Sequence, residues 1–208
     1  MNDRLMFARD LVAGRRVLDI GGSGMKSDYT GKVRRLGLFS KKPPHLMKFG
    51  LPYQSFRDSA SEYKALDISS DAHYQADLNS KLGLITLEEA LKSYKPNTIT
   101  AMEVFEHVTN ISNCLAVIAD YMHESDAELF ITLPNNANWI FNAMGFNHDH
   151  VYAFFPDIAD RMIHRSPLAE WSIERVMFHP RYMWWWRAMY LASGCQPSSI
   201  GFVVNRRN

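Results

Sequence analysis

The sequence contains little cysteine and almost no net charge. Its 208 residues include only 2 cysteines, Cys114 and Cys195, too few for a disulfide framework, which favours a reducing, cytoplasmic setting. The 23 lysines and arginines are balanced by 22 aspartates and glutamates, which gives a formal net charge of +1. Because that charge supplies no bulk attraction for phosphate backbones, nucleic acid is not expected as a partner.

Long apolar runs are absent as well. No stretch approaches the roughly 18 apolar residues that a membrane-spanning helix requires. Residues 1–16 carry Asp3, Arg4, Arg9 and Asp10 among their apolar side chains, which is atypical of a signal peptide. The length and the 47% hydrophobic content are sufficient for one buried core, so a single domain over residues 1–208 is expected.

The most informative stretch that is present runs from Val17 to Gly24. Its apolar half is typical of a strand buried on both faces, and its glycines allow the backbone to adopt positive φ and to approach a ligand closely. Asp19 lies inside this strand, where an ionised carboxylate is costly unless something pairs with it. We expect a cationic or amine-bearing ligand above the turn to be that partner.

Strand and helix patterns alternate along the first two thirds of the chain. Such alternation indicates a parallel sheet with helices on both faces. Thr86 and Glu89 form a capping-box pattern, which predicts that a helix begins at Thr86. In the last third, two strand patterns separated by a helical one would complete the sheet, one of them antiparallel. The predicted strands are 17–20, 63–68, 98–104, 127–133, 171–178 and 200–206, and the other predicted helices are a short one within 23–35 and those at 111–123, 156–164 and 180–193.

Polar side chains follow four of these strands at the point where each strand ends. They are Ser23, Asp67, Glu103 and Asn135. In parallel α/β sheets, ligands bind beyond the carboxyl ends of the strands, near the point where the strand order reverses. The pattern therefore predicts a ligand site at this edge of the sheet.

Four motifs in this order resemble those of the Rossmann-like methyltransferases that use S-adenosylmethionine, and within them the type 11 small-molecule and glycan group. The stretch 17–24 is similar to the family's first motif, whose loop contacts the methionine part of the cofactor. Asp67 stands where the family has an acid that binds both ribose hydroxyls, and Asp77 lies in a stretch similar to the one that meets the adenine amino group. The run EVFEHV at 103–108 resembles the family's E-V-L-E-H-V signature.

This resemblance implies an α/β fold, a Rossmann-like doubly wound sheet of seven mostly parallel strands, with helices on both faces and an antiparallel last strand. It also implies S-adenosylmethionine as the cofactor. The residues expected to bind it are Asp19, Gly21, Gly22, Ser23, Gly24, Asp67, Ile68, Asp77, Leu78, Glu103 and Phe105.

The spacing departs from the family in one place. Gly24 and Asp67 are about 20 residues further apart than the equivalent positions of nucleotide-binding folds, which indicates an insertion at about 29–62. The insertion holds Pro43-Pro44 and a cluster of basic residues. A loop of this length is usually a lid, a binding loop or disordered.

Three histidines, His107, His148 and His150, are candidates for the base that a hydroxyl acceptor would use. A structural role for His107, through a bond to a backbone carbonyl, is an open alternative, as is a hydrated surface loop for the other two. A strand would place the rings of His148 and His150 on one face, which suggests a metal. No third ligand, such as His164 or Asp157, is fixed by the pattern, so no metal site is predicted.

Three consecutive tryptophans, Trp184, Trp185 and Trp186, lie in the predicted aromatic helix at about 180–193. Successive residues of a helix point about 100° apart, so the three rings cannot all face one core. A core helix with one exposed ring is one interpretation. The other is contact of an exposed ring with a second copy of the chain, with a peripheral membrane surface or with an apolar acceptor.

The predicted function is transfer of a methyl group from S-adenosylmethionine to a small-molecule, sugar or lipid-linked acceptor at a hydroxyl group. The basic insertion and the aromatic helix would suit an anionic, partly apolar acceptor. The alternative is a catalytically silent, methyltransferase-like binding or regulatory subunit. A nicotinamide-dependent oxidoreductase is disfavoured because Ser27 stands where a dinucleotide fold has its third glycine or alanine.

Overall fold

The computed structural model describes residues 4–22, 56–138, 150–178 and 197–207. The predicted helix within 23–35, the aromatic helix at 180–193 with its three tryptophans, and most of the insertion at 29–62 lie outside these residues. The domain organisation and the partner expected at the tryptophans therefore stay predictions.

Within the described residues, seven strands form one sheet. They are β1 (Arg16–Ile20), β2 (Glu62–Asp67), β3 (Tyr74–Gln75), β4 (Thr98–Met102), β5 (Glu128–Pro134), β6 (Ser172–Phe178) and β7 (Ser199–Asn205). Their order is β3-β2-β1-β4-β5-β7-β6, with the first five strands parallel and β7 antiparallel to both β5 and β6. The predicted doubly wound, mostly parallel sheet with an antiparallel last strand is confirmed.

The centre of the sheet is formed by the most apolar strands. All five residues of β4 are buried, and so are four of the five residues of β1. Strands covered on both faces are expected to have such continuous apolar sequences. The strand order reverses between β1 and β4, and the carboxyl ends of these two strands therefore mark the place where a ligand site is expected.

Helices cover both faces of the sheet. Val17 and Leu18 are consecutive in β1 but belong to different hydrophobic clusters, because successive residues of a strand point to opposite faces. The Val17 cluster includes the first helix, and the Leu18 cluster includes the other three. These helices are α1 (Arg4–Val12), α2 (Lys81–Tyr94), α3 (Ile111–Glu124) and α4 (Pro156–His164).

The start of α2 differs from the prediction. The helix begins at Lys81, and its N-cap is Ser80, whose Oγ accepts a hydrogen bond from the Gly83 amide over 2.9 Å. Thr86 lies inside the helix and donates its hydroxyl to the carbonyl of Leu82 over 3.0 Å. The capping-box prediction at Thr86 is therefore wrong, since Ser80, which lies before Thr86 in the sequence, satisfies an orphan amide at the start of the helix.

The remaining helical predictions within the described residues agree with the structure. α3 and α4 match 111–123 and 156–164 to within one residue. α1 was not predicted from the sequence. No helix in the described part of the chain is long and apolar enough to cross a membrane.

Candidate functional site

The turn after β1 has no room for side chains. Gly21 has a φ of 77°, in the left-handed region, and a Cβ there would lie 2.4 Å from Cγ2 of Val104. A Cβ on Gly22 would lie 2.3 Å from Oδ2 of Asp19 and 2.4 Å from the hydroxyl of Tyr63. Both distances are far below van der Waals contact, so these two positions require glycine and keep the backbone of the turn open.

Asp19 is fully paired by side chains of the neighbouring strands. The Thr100 hydroxyl donates to Oδ1 over 2.6 Å, and the Tyr63 hydroxyl donates to Oδ2 over 2.6 Å. The Asp19 side chain is buried, and these two hydrogen bonds hold its carboxylate in the floor beneath Gly22. That a cationic or amine-bearing ligand pairs with it stays a prediction.

Asp67 and Ile68 lie at the carboxyl end of β2. Pairing of Asp67 with Gln75, and of its neighbour Leu66 with Ile20 and Tyr74, fixes this end beside the β1 turn. Oδ1 of Asp67 accepts the amide of Ser69 over 2.9 Å. Ile68 is 67% exposed, unusually high for a large apolar side chain, so it presents an apolar surface beside the carboxylate.

Asp77 lies on the short connection between β3 and α2. Its Oδ1 accepts the amide of Asn79 over 2.9 Å, and its carbonyl accepts the amide and the hydroxyl of Ser80. A Cβ on Gly83 would lie 1.9 Å from that carbonyl, so the connection packs directly on the first turn of α2. The Asp77 side chain is exposed at the same edge of the sheet as Asp67.

Leu78 and Phe105 have buried side chains. Both belong to the large hydrophobic cluster, Phe105 completely buried. They anchor the two segments that carry Asp77 and His107. Their binding of the cofactor stays a prediction, which their backbone groups could fulfil.

Glu103 ends β4 with a strained backbone. Its φ of 57° lies in the left-handed region, which costs a residue with a Cβ about 1–2 kcal/mol. Its amide donates to the Thr132 carbonyl over 3.0 Å, and its Oε1 accepts the Thr132 hydroxyl over 3.1 Å. Arg4 of α1 forms an ion pair with the same oxygen at 2.5 Å. These contacts hold the chain reversal that turns the following residues over the carboxyl edge of the sheet.

The 3₁₀ turn Phe105–His107 brings a carboxyl group and two imidazoles together. Oε1 of Glu106 lies 3.9 Å from Nε2 of His107 and 4.0 Å from Nε2 of His150. The two rings meet edge to face with their centroids 5.0 Å apart. One ligand-type atom from each of the three residues lies within 4.8 Å of the other two. We call Glu106, His107 and His150 together the Glu106 cluster.

Glu106 is the buried member of the cluster. Its side chain is 1% exposed, and Oε2 has no hydrogen-bond partner among the described residues. Burial, with a smaller contribution from the negative charge of Glu103, raises the pKa of Glu106 to about 9. At neutral pH the carboxyl is therefore protonated unless a positive charge binds beside it.

His150 reaches the cluster through backbone hydrogen bonds of the residues that follow it. The amides of Val151 and Tyr152 donate to the Glu106 carbonyl over 2.7 and 3.3 Å, and the Tyr152 hydroxyl donates to the Thr109 carbonyl over 2.6 Å. His150 lies in irregular chain and not in a strand. Among the described residues, His164 and Asp157 do not join the cluster.

Three predicted site residues lie outside the described part of the chain. They are Ser23, Gly24 and His148. Asn135, the polar residue after β5, lies within it and is buried, where its Oδ1 accepts the Ala137 amide and its Nδ2 donates to the Pro197 carbonyl. Asn135 therefore closes a loop and does not face the ligand edge.

Comparison with known proteins shows what the chain is similar to. Over 189 residues it is 24% identical to a ubiquinone biosynthesis O-methyltransferase of Burkholderia multivorans, a match that covers 81% of the chain and 71% of the relative. A crystal structure of an S-adenosylmethionine-dependent methyltransferase from Mesorhizobium loti has the same fold, with a TM-score of 0.50, 11% identity, and coverage of 97% and 96% of the two chains. The chain is thus similar to methyltransferases in both sequence and fold.

The fold is shared more widely among methyltransferases. The methyltransferase domain of a bacterial Hen1 matches with a TM-score of 0.51 and 10% identity, over 97% of this chain and 94% of that domain. No protein-family model matches the sequence. The predicted fold, enzyme class and cofactor are thus confirmed, whereas membership of the type 11 group stays a prediction.

The position of Glu106 in a cluster with two histidines was not predicted from the sequence. Glu106 is part of the EVFEHV motif, but no role was predicted for it from the sequence. The signal was the acid directly before His107, which places a carboxyl and an imidazole on the same tight turn. Glu106 and His150 are more than forty positions apart in the sequence, so the spacing of residues did not indicate that they would meet.

Proposed function

We propose that this methyltransferase transfers the methyl group to a hydroxyl oxygen of a small-molecule, sugar or lipid-linked acceptor that binds at the Glu106 cluster. The observation that carries the proposal is the meeting of one carboxyl group and two imidazoles at the carboxyl edge of the sheet. The cluster follows β4, next to the β1 turn, where α/β sheets bind their ligands. The relatives named as O-methyltransferases support oxygen as the methylated atom.

The cofactor would lie across the ends of β1 and β2. Gly21 and Gly22 provide backbone without side chains, Asp67 provides a carboxylate for the ribose hydroxyls, and Ile68 provides an exposed apolar surface for the adenine ring. Asp77 would receive the adenine amino group. The sulfonium of the bound cofactor makes the methyl group electrophilic, so the task left to the protein is to align the acceptor oxygen with the methyl–sulfur bond.

The Glu106 cluster also fits a divalent cation. Donor atoms that share an ion at about 2.1 Å lie no more than roughly 4 Å apart, so spacings within 4.8 Å need only small side-chain movements. Two imidazoles and a carboxylate suit transition metals better than calcium. A cation here would allow Glu106 to ionise and would hold and acidify the acceptor hydroxyl. This proposal replaces the prediction of no metal, which considered His164 and Asp157 as third ligands.

Without a cation, the same residues offer a second mechanism. His107 is 46% exposed beside the buried Glu106, a position from which an imidazole can accept the proton of an acceptor hydroxyl. The carboxyl of Glu106 would then orient the ring. The two mechanisms predict different responses to chelation.

The test uses the purified chain, radiolabelled S-adenosylmethionine and a panel of phenols, sugars and prenyl-linked alcohols. Label transfer to a hydroxyl, lost in Glu106→Gln and His150→Ala and suppressed by a chelator until Mn²⁺ is restored, is the expected result. His123→Ala, an exposed histidine that contacts Glu170, is the matched control. Transfer that survives chelation but not His107→Ala supports the imidazole base. Transfer that survives both substitutions in the cluster would place the acceptor elsewhere.

A further inference from the structure

Asn79 connects two segments of the ligand edge that come from different parts of the chain. Its Oδ1 accepts the Thr109 amide over 2.7 Å and the Thr109 hydroxyl over 2.9 Å. Its Nδ2 donates to the carbonyl of His107 over 3.2 Å. A single amide side chain thus uses both its acceptor and its donor to hold the backbone on either side of residue 108.

The base of this connection is rigid. The backbone amide of Asn79 donates to Oδ1 of Asp77. Ser80, the N-cap of α2, donates both its amide and its hydroxyl to the carbonyl of the same aspartate. The close approach of Gly83 leaves no space between Asp77 and the helix. Asn79 is therefore held rigidly relative to Asp77, so that a movement of Asp77 moves Asn79 with it.

The other side of the connection carries the reactive groups. Of the two residues that Asn79 holds, His107 is the last residue of the 3₁₀ turn and Thr109 follows that turn. The Thr109 carbonyl accepts the Tyr152 hydroxyl, and the Glu106 carbonyl accepts the amides of residues 151 and 152. Asn79 is thereby linked to both imidazoles of the cluster, directly to the His107 backbone and through Thr109 to the segment that carries His150.

We propose that Asn79 is a positioning residue that couples cofactor binding at Asp77 to the arrangement of His107 and His150 in the Glu106 cluster. This inference rests on the proposed function, which places adenine at Asp77 and the acceptor at the cluster. A displacement of Asp77 by the bound adenine is carried through Asn79 to the 107–109 segment and sets the geometry that binds a cation. Coupling between two binding sites is reciprocal, so a cation at the cluster tightens cofactor binding by the same factor.

The experiment measures Mn²⁺ binding to the full chain by electron paramagnetic resonance, with and without saturating S-adenosylhomocysteine. In the wild type we expect the cofactor product to tighten Mn²⁺ binding about fivefold or more, the lower end of usual coupling. In Asn79→Ala this factor is expected to fall to about one. The matched control is Asn97→Ala, an exposed asparagine whose Oδ1 accepts the Arg16 amide at the opposite edge of the sheet.

Asn79→Asp separates positioning from stability. Aspartate keeps an oxygen that accepts the amide and hydroxyl of Thr109. It loses the donor to the His107 carbonyl and places a carboxylate oxygen next to that carbonyl oxygen. We expect its melting temperature to stay near that of the wild type while the coupling factor falls as in Asn79→Ala. A purely structural role would lower the melting temperature and leave the coupling factor unchanged.

The outcomes distinguish this inference from the proposed function. Wild-type coupling that persists in Asn79→Ala and Asn79→Asp overturns the role of Asn79 and leaves the proposed function intact. If Mn²⁺ does not bind, the proposed cation site is overturned. The readout is then the change in the magnetic resonance signals of the His107 ring when S-adenosylhomocysteine is added. A shift in the wild type that is absent in Asn79→Ala supports the coupling, and equal shifts or none in both overturn it. Failure of the wild type to bind S-adenosylhomocysteine overturns both proposals.

Discussion

Thr100 and Asp19 lie opposite each other on the neighbouring parallel strands β4 and β1, and the threonine hydroxyl donates to the buried carboxylate over 2.6 Å. This bond joins the two strands between which the strand order reverses. It ties the floor of the glycine turn to the strand that leads into the Glu106 cluster. The cofactor side and the acceptor side of the proposed site therefore share one buried hydrogen bond.

Thr100→Val removes this donor and keeps the shape of the side chain. A buried carboxylate that loses a donor is destabilised by about 1–3 kcal/mol, so the free energy of unfolding is expected to fall by that amount. Urea unfolding measures the change. Thr86→Val, in which the lost bond is local to helix α2, is the control and should change stability much less. Equal stability of Thr100→Val and the wild type would show that the bond contributes nothing.

Gly22→Ala places a methyl group against Asp19 and Tyr63. Because the Cβ would lie 2.3 Å from the carboxylate, the turn must move, and we expect a loss of stability of about 2 kcal/mol or more. Binding of S-adenosylhomocysteine should fall with it. Gly14→Ala is the contrast, since its φ is 70° but nothing lies within 4 Å of its Cβ, so its cost should be only about 1 kcal/mol. A larger effect at Gly14 would contradict the packing argument.

Asp67→Ala removes the carboxylate proposed to bind the ribose hydroxyls. Hydrogen bonds to a charged group contribute about 1.5–3 kcal/mol, so calorimetry should show S-adenosylhomocysteine binding weakened by about 10- to 100-fold. Asp71→Ala, an exposed aspartate four residues further along the same loop, should bind normally. Unchanged binding in Asp67→Ala would remove this residue from the cofactor site.

Glu106 gives the cation-free protein a predictable dependence on pH. The pKa of Glu106 is about 9 in the native state against an ordinary value of 4.5, so between these values the native state binds a proton that the unfolded state has lost. Its contribution to stability is therefore fully present below about pH 4.5 and is lost as the pH rises toward about 9.

Urea unfolding in the presence of a chelator, at about pH 6 and about pH 8.5, measures this change. Glu106→Gln imitates the protonated carboxyl and should flatten the pH dependence, whereas the exposed Glu170→Gln should leave it as in the wild type. A wild-type stability that rises with pH over this range would contradict the raised pKa.

The sequence carried enough information to place the cofactor edge. Asp67 was assigned to the end of the second strand despite the preceding insertion, because its strand has a clear apolar pattern and an acid at its carboxyl end. The structure places β2 in register with β1 as that assignment requires. Strand type and order are local and topological properties, and they follow from hydrophobic pattern and connection rules.

Side-chain partners were not predictable from the same patterns. The two hydroxyl donors to Asp19 are 44 and 81 positions away in sequence, so a single strand motif gave no sign that its carboxylate accepts these hydrogen bonds. The Glu106 cluster likewise depends on an irregular segment that returns to the 3₁₀ turn through backbone hydrogen bonds. Such contacts depend on where loops return in space, which periodicity does not encode.

The position of β7 between β5 and β6 also determines when this part of the sheet can form during synthesis of the protein. Within the described sheet, β6 pairs with β7 alone, and β7 is made after β5 and β6. On the ribosome, β5 therefore emerges with one edge unpaired, and β6 follows with no strand to join. An open apolar edge of this kind is a template for aggregation until β7 arrives, so the nascent chain should depend on chaperones longest at this edge.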